Sequence, residues 1–243
     1  MITNFNDFFK SAFTVDNVIF GFDEGDLKVL LIKRGEEPYM GKWALPGYFV
    51  YPSEDLNAAA IRVLEELTGL RNVYLEQVRT FGKVNRHPFG RVITIAYFSL
   101  VKISNYTIQP ASIALKAKWH SISDVLDLAF DHQEILQACF EQLKSSVKSR
   151  PVGFELLPKN FTLTQLQHLY EAILETELDK RNFRKKILSM DLLVDLEVTQ
   201  EGVAHRPAKL YQFDKERYEA FLKEGFSFEL KENSRKKEKE IFG

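Results

Sequence analysis

The residues best suited to chemistry lie between Trp43 and Leu70, where glutamates and an arginine follow a Pro-Gly turn. Apolar residues recur there at three- and four-residue spacing, which predicts a helix, and they are Leu56, Ala59, Ala60, Val63, Leu64 and Leu67. Ser53 or Asp55 can cap the start of this helix, and Gly69 can end it. Carboxylates three and four residues apart on a helix are neighbours, and such oxygen ligands suit Mg²⁺ bound to phosphates. The segment indicates either metal-assisted phosphate chemistry or an amphipathic helix with surface glutamates.

The order of residues in this segment resembles the Nudix box, a loop-helix-loop motif with a glycine near each end and glutamates on the helix. The matching positions are Glu54, Arg62, Leu64, Glu66 and Gly69. The sequence departs from the motif at three positions: Tyr48 replaces the opening glycine, and Val63 and Leu67 each replace a glutamate. In Nudix hydrolases, carboxylates at these two positions and at the position of Glu66 form the cluster that suits Mg²⁺. The resemblance therefore implies a kept scaffold without its metal cluster, and we expect no hydrolase activity, no bound metal and no cofactor.

The composition of the chain limits its class and its partners. Its 243 residues are 45% hydrophobic and 28% charged, which is typical of globular proteins with one large domain or two small ones. The formal net charge of -1 gives no general attraction to nucleic acid, so such binding must rest on a local patch. The five histidines show no zinc-ligand spacing, and the single cysteine, Cys139, falls in an apolar pattern. Because no membrane-length apolar run or signal pattern is found, we expect a cytoplasmic protein without a membrane partner.

The elements around the box predict the rest of its domain. Two apolar strand runs, Phe13–Phe22 and Lys28–Lys33, are joined by the polar turn Asp23–Asp26, which predicts a hairpin. The further predicted elements are strands at Val73–Phe81, Val92–Val101 and Lys116–His120 and a helix at Asp131–Ser145. This order matches the α/β/α sandwich of the Nudix fold, and the resemblance covers roughly residues 10–145. We place the first domain at residues 1–148.

A second domain, residues 149–243, follows a break at residues 148–153, where proline and glycine interrupt the helical period. Thr162 and Gln165 form a capping box ahead of an amphipathic helix, and Asp179 can cap a second helix, Lys180–Met190, that is rich in basic residues. Two strand-like pieces, LLVDLEVT and AKLYQF, then flank a loop. A helix, a short turn, a basic helix and a two-stranded wing predict a winged helix-turn-helix.

This second domain resembles the C-terminal domain of the NrtR family of Nudix-related transcriptional regulators, through the run ELLPKNFTLTQLQHLYEAILETELDKRNFRKKIL and the later HRPAKLYQF. In that family a Nudix-derived domain senses a small molecule and a winged helix binds operator DNA, usually as a homodimer. The resemblance therefore implies double-stranded operator DNA and a second copy of the chain as partners. Arginine and asparagine can reach base edges, whereas lysine mostly meets phosphates.

The basic residues divide accordingly into three expected groups. The expected base contacts are Arg181, Asn182 and Arg184, and the expected phosphate contacts are Lys180, Lys185 and Lys186. The wing residues expected to reach the backbone or the minor groove are His205, Arg206 and Lys209. A basic helix can also be a solvated face, which leaves a non-catalytic interaction module without DNA as an alternative.

The effector is inferred from the family resemblance. Some members answer to nucleotide-sugar metabolites such as ADP-ribose and others to sugars such as L-arabinose, and the overall pattern most resembles the L-arabinose group. A neutral sugar needs hydrogen-bonding groups around its hydroxyls and apolar surface against its ring. The candidate ligand-binding residues are Lys42, Tyr48, Glu54, Glu66, Lys83, Asp131 and His132. We therefore expect a repressor that senses L-arabinose; the alternative is a Nudix hydrolase or a regulator that responds to ADP-ribose.

Overall fold

The computed structural model describes residues 10–23, 25–103, 114–125, 127–202 and 206–229. The chain divides into two compact units, Met1–Lys144 and Ser145–Gly243. This division falls inside a helix, a few residues before the boundary that the sequence predicts at residue 148. In the described part of the chain, every helix is too short or too polar to span a bilayer.

The described residues of the first unit form a seven-stranded sheet. Its strands are β1 Ala12–Asp23, β2 Asp26–Arg34, β3 Trp43–Ala44, β4 Gly47–Phe49, β5 Tyr74–Phe81, β6 Val92–Lys102 and β7 Ala114–Ser121. The main path runs β3-β2-β1-β6-β5, while β4 pairs with β1 and β7 with β2. Strands β1 and β6 are parallel, and the other pairs are antiparallel. The predicted hairpin is confirmed, because β1 and β2 pair up to Asp23 and Asp26 at the turn.

Two helices cover the sheet, α1 Leu56–Thr68 and α2 His132–Ser149. Successive residues of a strand point to opposite faces. From β1, the Asn17 side chain donates to a carbonyl oxygen of α1, whereas the Phe20 ring packs 6.2 Å from the Phe140 ring of α2. The helices therefore lie on opposite faces, and the expected α/β/α sandwich is confirmed. Helix α1 begins at the Asp55 cap and ends at Gly69, whose φ of 77° is left-handed backbone that glycine adopts readily.

The second unit contains a 3₁₀ turn, Pro151–Leu156, helices α3 Leu163–Leu174 and α4 Lys180–Ser189, strands β8 Leu193–Thr199 and β9 Lys209–Phe213, and helix α5 Lys215–Lys223. Both bonds of the predicted capping box between Thr162 and Gln165 are present, and Asp179 caps α4 as expected. A small core joins the two helices, with the Tyr170 and Phe183 rings 5.7 Å apart. The winged helix is confirmed; helix α5 was not predicted.

Candidate functional site

Arg62 holds the two glutamates that remain in the Nudix-like box. Its guanidinium donates to both carboxylate oxygens of Glu54, at 2.9 and 2.6 Å, and to Glu66 Oε2 at 3.0 Å. It also donates to the Phe49 carbonyl oxygen at 2.9 Å and lies 4.0 Å from the centre of the Tyr51 ring. The hydrogen bond from Arg62 lowers the pKa of Glu54 to about 2. Glu54 therefore fastens the loop before α1 to the helix, whereas Glu66 pairs with Arg62 within the helix.

The two apolar replacements in the box lie in the core. The Val63 side chain is 0% exposed and Leu67 is 3% exposed, and both pack in a cluster that includes Val15, Ile95 and Tyr97. Among the described residues, no group of three or more histidine, cysteine, aspartate or glutamate side chains is placed to hold a metal ion. Because Arg62 forms ion pairs with both Glu54 and Glu66, these two carboxylates do not fit a site for a divalent cation that bridges phosphates.

A cavity of about 200 Å³ lies beside the box, between the loop after β2, strand β4 and the start of α2. Its aromatic lining comes from Tyr48, Phe49, Phe89 and Phe130. Its polar lining comes from Thr14, Asp16, Arg34, Glu36, Glu37, His87 and His132. The Phe130 ring stacks on the His87 ring, with centroids 5.2 Å apart, and the Arg34 guanidinium lies 4.9 Å from the Phe130 centroid. The cavity thus combines the Arg34 cation and three carboxylates with flat aromatic surfaces.

A buried polar network surrounds Asp16 in the cavity lining. Asp16 Oδ2 accepts a 2.7 Å hydrogen bond from the Thr94 hydroxyl, and an Arg86 nitrogen approaches it to 3.5 Å. The Arg86 guanidinium binds mainly to Asp131, at 2.9 and 2.7 Å. His132 Nδ1 accepts from the Leu45 backbone N–H at 2.9 Å, and burial lowers the pKa of His132. The ring is therefore neutral at pH 7, and its proton is on Nε2, 3.6 Å from Asp16 Oδ1.

The structure brings together only part of the expected ligand set. Tyr48 and His132 line the cavity, and Asp131 holds Arg86 within the polar network. Lys42 pairs with Asp127 at 3.0 Å and Lys83 with Glu134 at 2.6 Å, while Glu54 and Glu66 pair with Arg62, and all four lie outside the cavity lining. The sequence reasoning missed Asp16, Arg34, His87 and Phe130. A charged Asp16 within the apolar run FTVDNVIFGF was the available signal.

Helix α4 presents a basic face in the second unit. Phe183 and Ile187 are buried on one side of the helix. The exposed residues on the other side include Lys180, Arg181, Asn182, Lys185 and Lys186, all of them expected DNA contacts. Arg184 differs from them, because it is half-buried and its guanidinium donates to the Thr164 hydroxyl of α3 at 2.9 Å. This contact means that Arg184 links the two helices rather than joining the exposed face. Its Nε atom is buried and has no partner among the residues that the structure describes.

The wing contains a bulge and an ion pair. Lys209 on β9 pairs with Asp195 on β8 at 2.7 Å, and Asp195 also accepts from the Glu197 backbone N–H. Between the pairs Asp195–Tyr211 and Thr199–Lys209, β8 has three residues where β9 has only Leu210, and Glu197 takes a left-handed φ of 58°. Arg206 is exposed, and His205 lies outside the described residues. Of the expected wing contacts, Lys209 is therefore an exposed cation paired with Asp195, and Arg206 is an exposed cation.

The fold and the two sites define a class, a Nudix-type domain with an aromatic, cation-containing cavity followed by a winged helix with a basic helix. Residues 11–139 match the family model for the NUDIX domain, and residues 153–213 match the model for the NrtR DNA-binding winged helix domain. The chain belongs to the NrtR family of Nudix-related transcriptional regulators.

Two relatives, one of them in two solved structures, support this assignment. The chain is 38% identical, over 88% of its length and 86% of the relative's, to the ADPR responsive transcriptional repressor NtrR of Acinetobacter baylyi. Shewanella oneidensis NrtR, solved in complex with a 27mer DNA, is 31% identical with a TM-score of 0.71, covering 83% of this chain and 93% of that chain. The NUDIX domain of the same protein, solved with ADP ribose, is 32% identical with a TM-score of 0.53, covering 58% of this chain and 94% of that domain.

Proposed function

We propose that this protein is a transcriptional repressor whose winged helix binds operator DNA and whose Nudix-type cavity binds ADP-ribose, which releases the DNA. The observation that carries this proposal is the cavity itself, where Arg34 lies against the Phe130 ring beside a polar network. A guanidinium suits a diphosphate and flat rings suit a purine, so the lining matches the parts of a nucleotide sugar. The relatives that respond to or bind ADP-ribose support the same effector.

The earlier expectation of L-arabinose has no support among these relatives. A neutral pentose also offers no negative charge to Arg34, whereas ADP-ribose supplies a diphosphate for it. The cavity volume of about 200 Å³ is below the roughly 300 to 1,000 Å³ usual for small-molecule sites, so part of an extended effector would lie outside the cavity.

The proposal treats the first domain as a sensor without hydrolase activity. The support comes from the box, where Val63 and Leu67 are buried and Arg62 occupies Glu54 and Glu66. We further propose that the repressor acts as a homodimer, as its family resemblance suggests. Two-fold symmetry would then place palindromic half-sites one DNA turn, or a multiple of it, apart.

The test begins with an operator selected from random duplex DNA by the full-length protein. ADP-ribose should lower operator affinity by about 5- to 150-fold, and the operator should lower ADP-ribose affinity by the same factor. ADP, L-arabinose and glucose serve as controls in the same anisotropy titration. Release by L-arabinose, or ADP-ribose binding without any effect on DNA affinity, would refute the proposed effector.

Two further measurements test the roles of individual parts. Arg34→Gln should weaken ADP-ribose binding, whereas Lys33→Gln, which removes the neighbouring cation outside the cavity lining, should not. Incubation with ADP-ribose and Mg²⁺ should release no more AMP than buffer alone. Turnover at about 1 per second or faster, the usual enzyme range, would contradict the sensor assignment.

A further inference from the structure

The Asp16 carboxylate has one oxygen that accepts no hydrogen bond from the part of the chain that the structure describes. Oδ2 accepts from Thr94, but no hydrogen bond from the described residues reaches Oδ1, and His132 Nε2 at 3.6 Å is beyond hydrogen-bond distance. Asp16 is only 4% exposed, but Oδ1 is not among the buried side-chain atoms that lack a partner, so this oxygen is open to water or to a ligand group that donates a hydrogen bond. Because Asp16 lines the cavity, such a group can reach it from there.

His132 presents the complementary group beside this oxygen. Its Nδ1 is engaged by the Leu45 backbone N–H, so Nε2 carries the proton and can only donate. His132 also lines the cavity. An acceptor and a donor side by side match a hydroxyl group, which both donates and accepts, or two adjacent hydroxyls.

The charge of Asp16 decides which part of a ligand can bind there. Arg86, the nearest cation to Asp16 Oδ2, is bound through two shorter contacts to Asp131. A phosphate group would place a second negative charge against the Asp16 carboxylate, which is unfavourable in a buried site. Sugar hydroxyls are neutral, and a carboxylate that binds ribose hydroxyls is a recurrent device in nucleotide sites.

The absence of a side chain at Gly47 leaves space for the Asp16 carboxylate. A Cβ atom at position 47 would lie 1.9 Å from Asp16 Oδ1, so any side chain there would displace the carboxylate. Gly47 has no positive φ, and the requirement for glycine is therefore one of space rather than backbone conformation. The sequence at position 47 thus leaves room for the free oxygen of Asp16.

We propose that Asp16 and His132 form a hydroxyl-binding pair that recognises the vicinal diol of a ribose in the effector. The proposal rests on ADP-ribose being the effector and adds which residues distinguish ribosyl from deoxyribosyl ligands. ADP-ribose has two riboses with free diols, one in adenosine and one at its end, and the same chemistry serves either. The pair would orient the effector, since the diol binds at Asp16 and the diphosphate is left for Arg34.

The experiment measures binding to the full-length protein by calorimetry with ADP-ribose and with two analogues, each lacking the 2-hydroxyl of one ribose. One analogue should bind about 10- to 100-fold more weakly, the range for a hydrogen bond to a charged group, and this identifies the ribose bound. In Asp16→Asn the ADP-ribose affinity should fall by a similar factor, and the penalty for the missing hydroxyl should shrink. Asp23→Asn, the same exchange at an exposed site on β1, should bind like the wild type.

A second variant tests the pair independently in case Asp16→Asn does not fold, which a thermal unfolding measurement would reveal. Gly47→Ala keeps the carboxylate but pushes it aside, so it should also weaken ADP-ribose and reduce the hydroxyl penalty. If both analogues bind the wild type as tightly as ADP-ribose does, the pair is refuted whatever the variants do. If the wild type binds no ADP-ribose, the proposed effector fails and the diol pair with it; unchanged affinity in folded Asp16→Asn refutes the pair alone.

Discussion

The contact between Arg184 and Thr164 predicts that Arg184 stabilises the packing of α4 on α3 rather than contacting a DNA base. The guanidinium donates at 2.9 Å from α4 to α3, and the side chain is half-buried. A hydrogen bond with a charged partner contributes about 1.5 to 3 kcal/mol, which partial solvent exposure reduces to roughly 1 kcal/mol. Arg184→Ala also removes the packing of the side-chain stem, so we expect α4 to lose about 1 to 2 kcal/mol of local stability without DNA present.

Native-state hydrogen exchange measures this local stability without requiring both units to unfold in one step. Thr164→Val should lower the protection of α4 as well, and the double variant should show a coupling energy of about 0.5 to 1.5 kcal/mol. Lys185→Ala provides the control, since Lys185 is an exposed cation of the same helix and should affect only DNA affinity. Unchanged protection in Arg184→Ala, together with a loss confined to operator DNA, would show that Arg184 reads a base.

Three further predictions concern charge, burial and protonation. Lys186→Ala should weaken operator and random DNA alike and lower the salt slope by about 0.9 in an anisotropy titration, whereas a loss for the operator alone would contradict a phosphate contact. Val63→Glu should lower the free energy of unfolding by about 3 to 5 kcal/mol, because the new charge lies in the core, and it should not create ADP-ribose hydrolysis. A variant that is as stable as the wild type and hydrolyses ADP-ribose would overturn this view. Burial lowers the pKa of His132, so the unfolded chain takes up the proton first and the free energy of unfolding should fall as pH drops below about 6.5. His132→Gln should flatten this dependence in denaturation series between about pH 5 and 7, and an identical slope would argue against a neutral buried ring.

Elements specified by neighbouring residues were predictable from the sequence. The Asp55 cap, the Gly69 terminus and the Thr162–Gln165 capping box each depend on residues within one helical turn, and all are present. Helix α5 had a comparable signal in the cap Asp214, whose side chain accepts from Arg217 N, but that signal was overlooked. The fold class followed from the order of such local elements.

The cavity was not predictable in the same way, because it depends on residues far apart in the chain. Asp16 and His132 are separated by more than 100 positions and meet only after β1 pairs with β6 and α2 covers the sheet. Lys42 was expected near the effector, but its partner is Asp127, 85 positions away. Sequence spacing therefore identified the helix that carries the box, and long-range pairing determined which polar groups face the cavity.

The bulge in the wing also limits self-association through the exposed edge of β8. Strand β9 is bridged on its outer side by Phe161, but in the described residues no strand pairs with the outer edge of β8. A long, flat edge of this kind is a template for strand addition and aggregation, and the exposed Val194 and Val198 would favour it. The bulge and the left-handed Glu197 interrupt the ladder after Asp195, so the flat stretch is only three residues long. Deleting the extra residues of the bulge would therefore lengthen the exposed, unpaired edge of β8 and increase the tendency of the protein to aggregate.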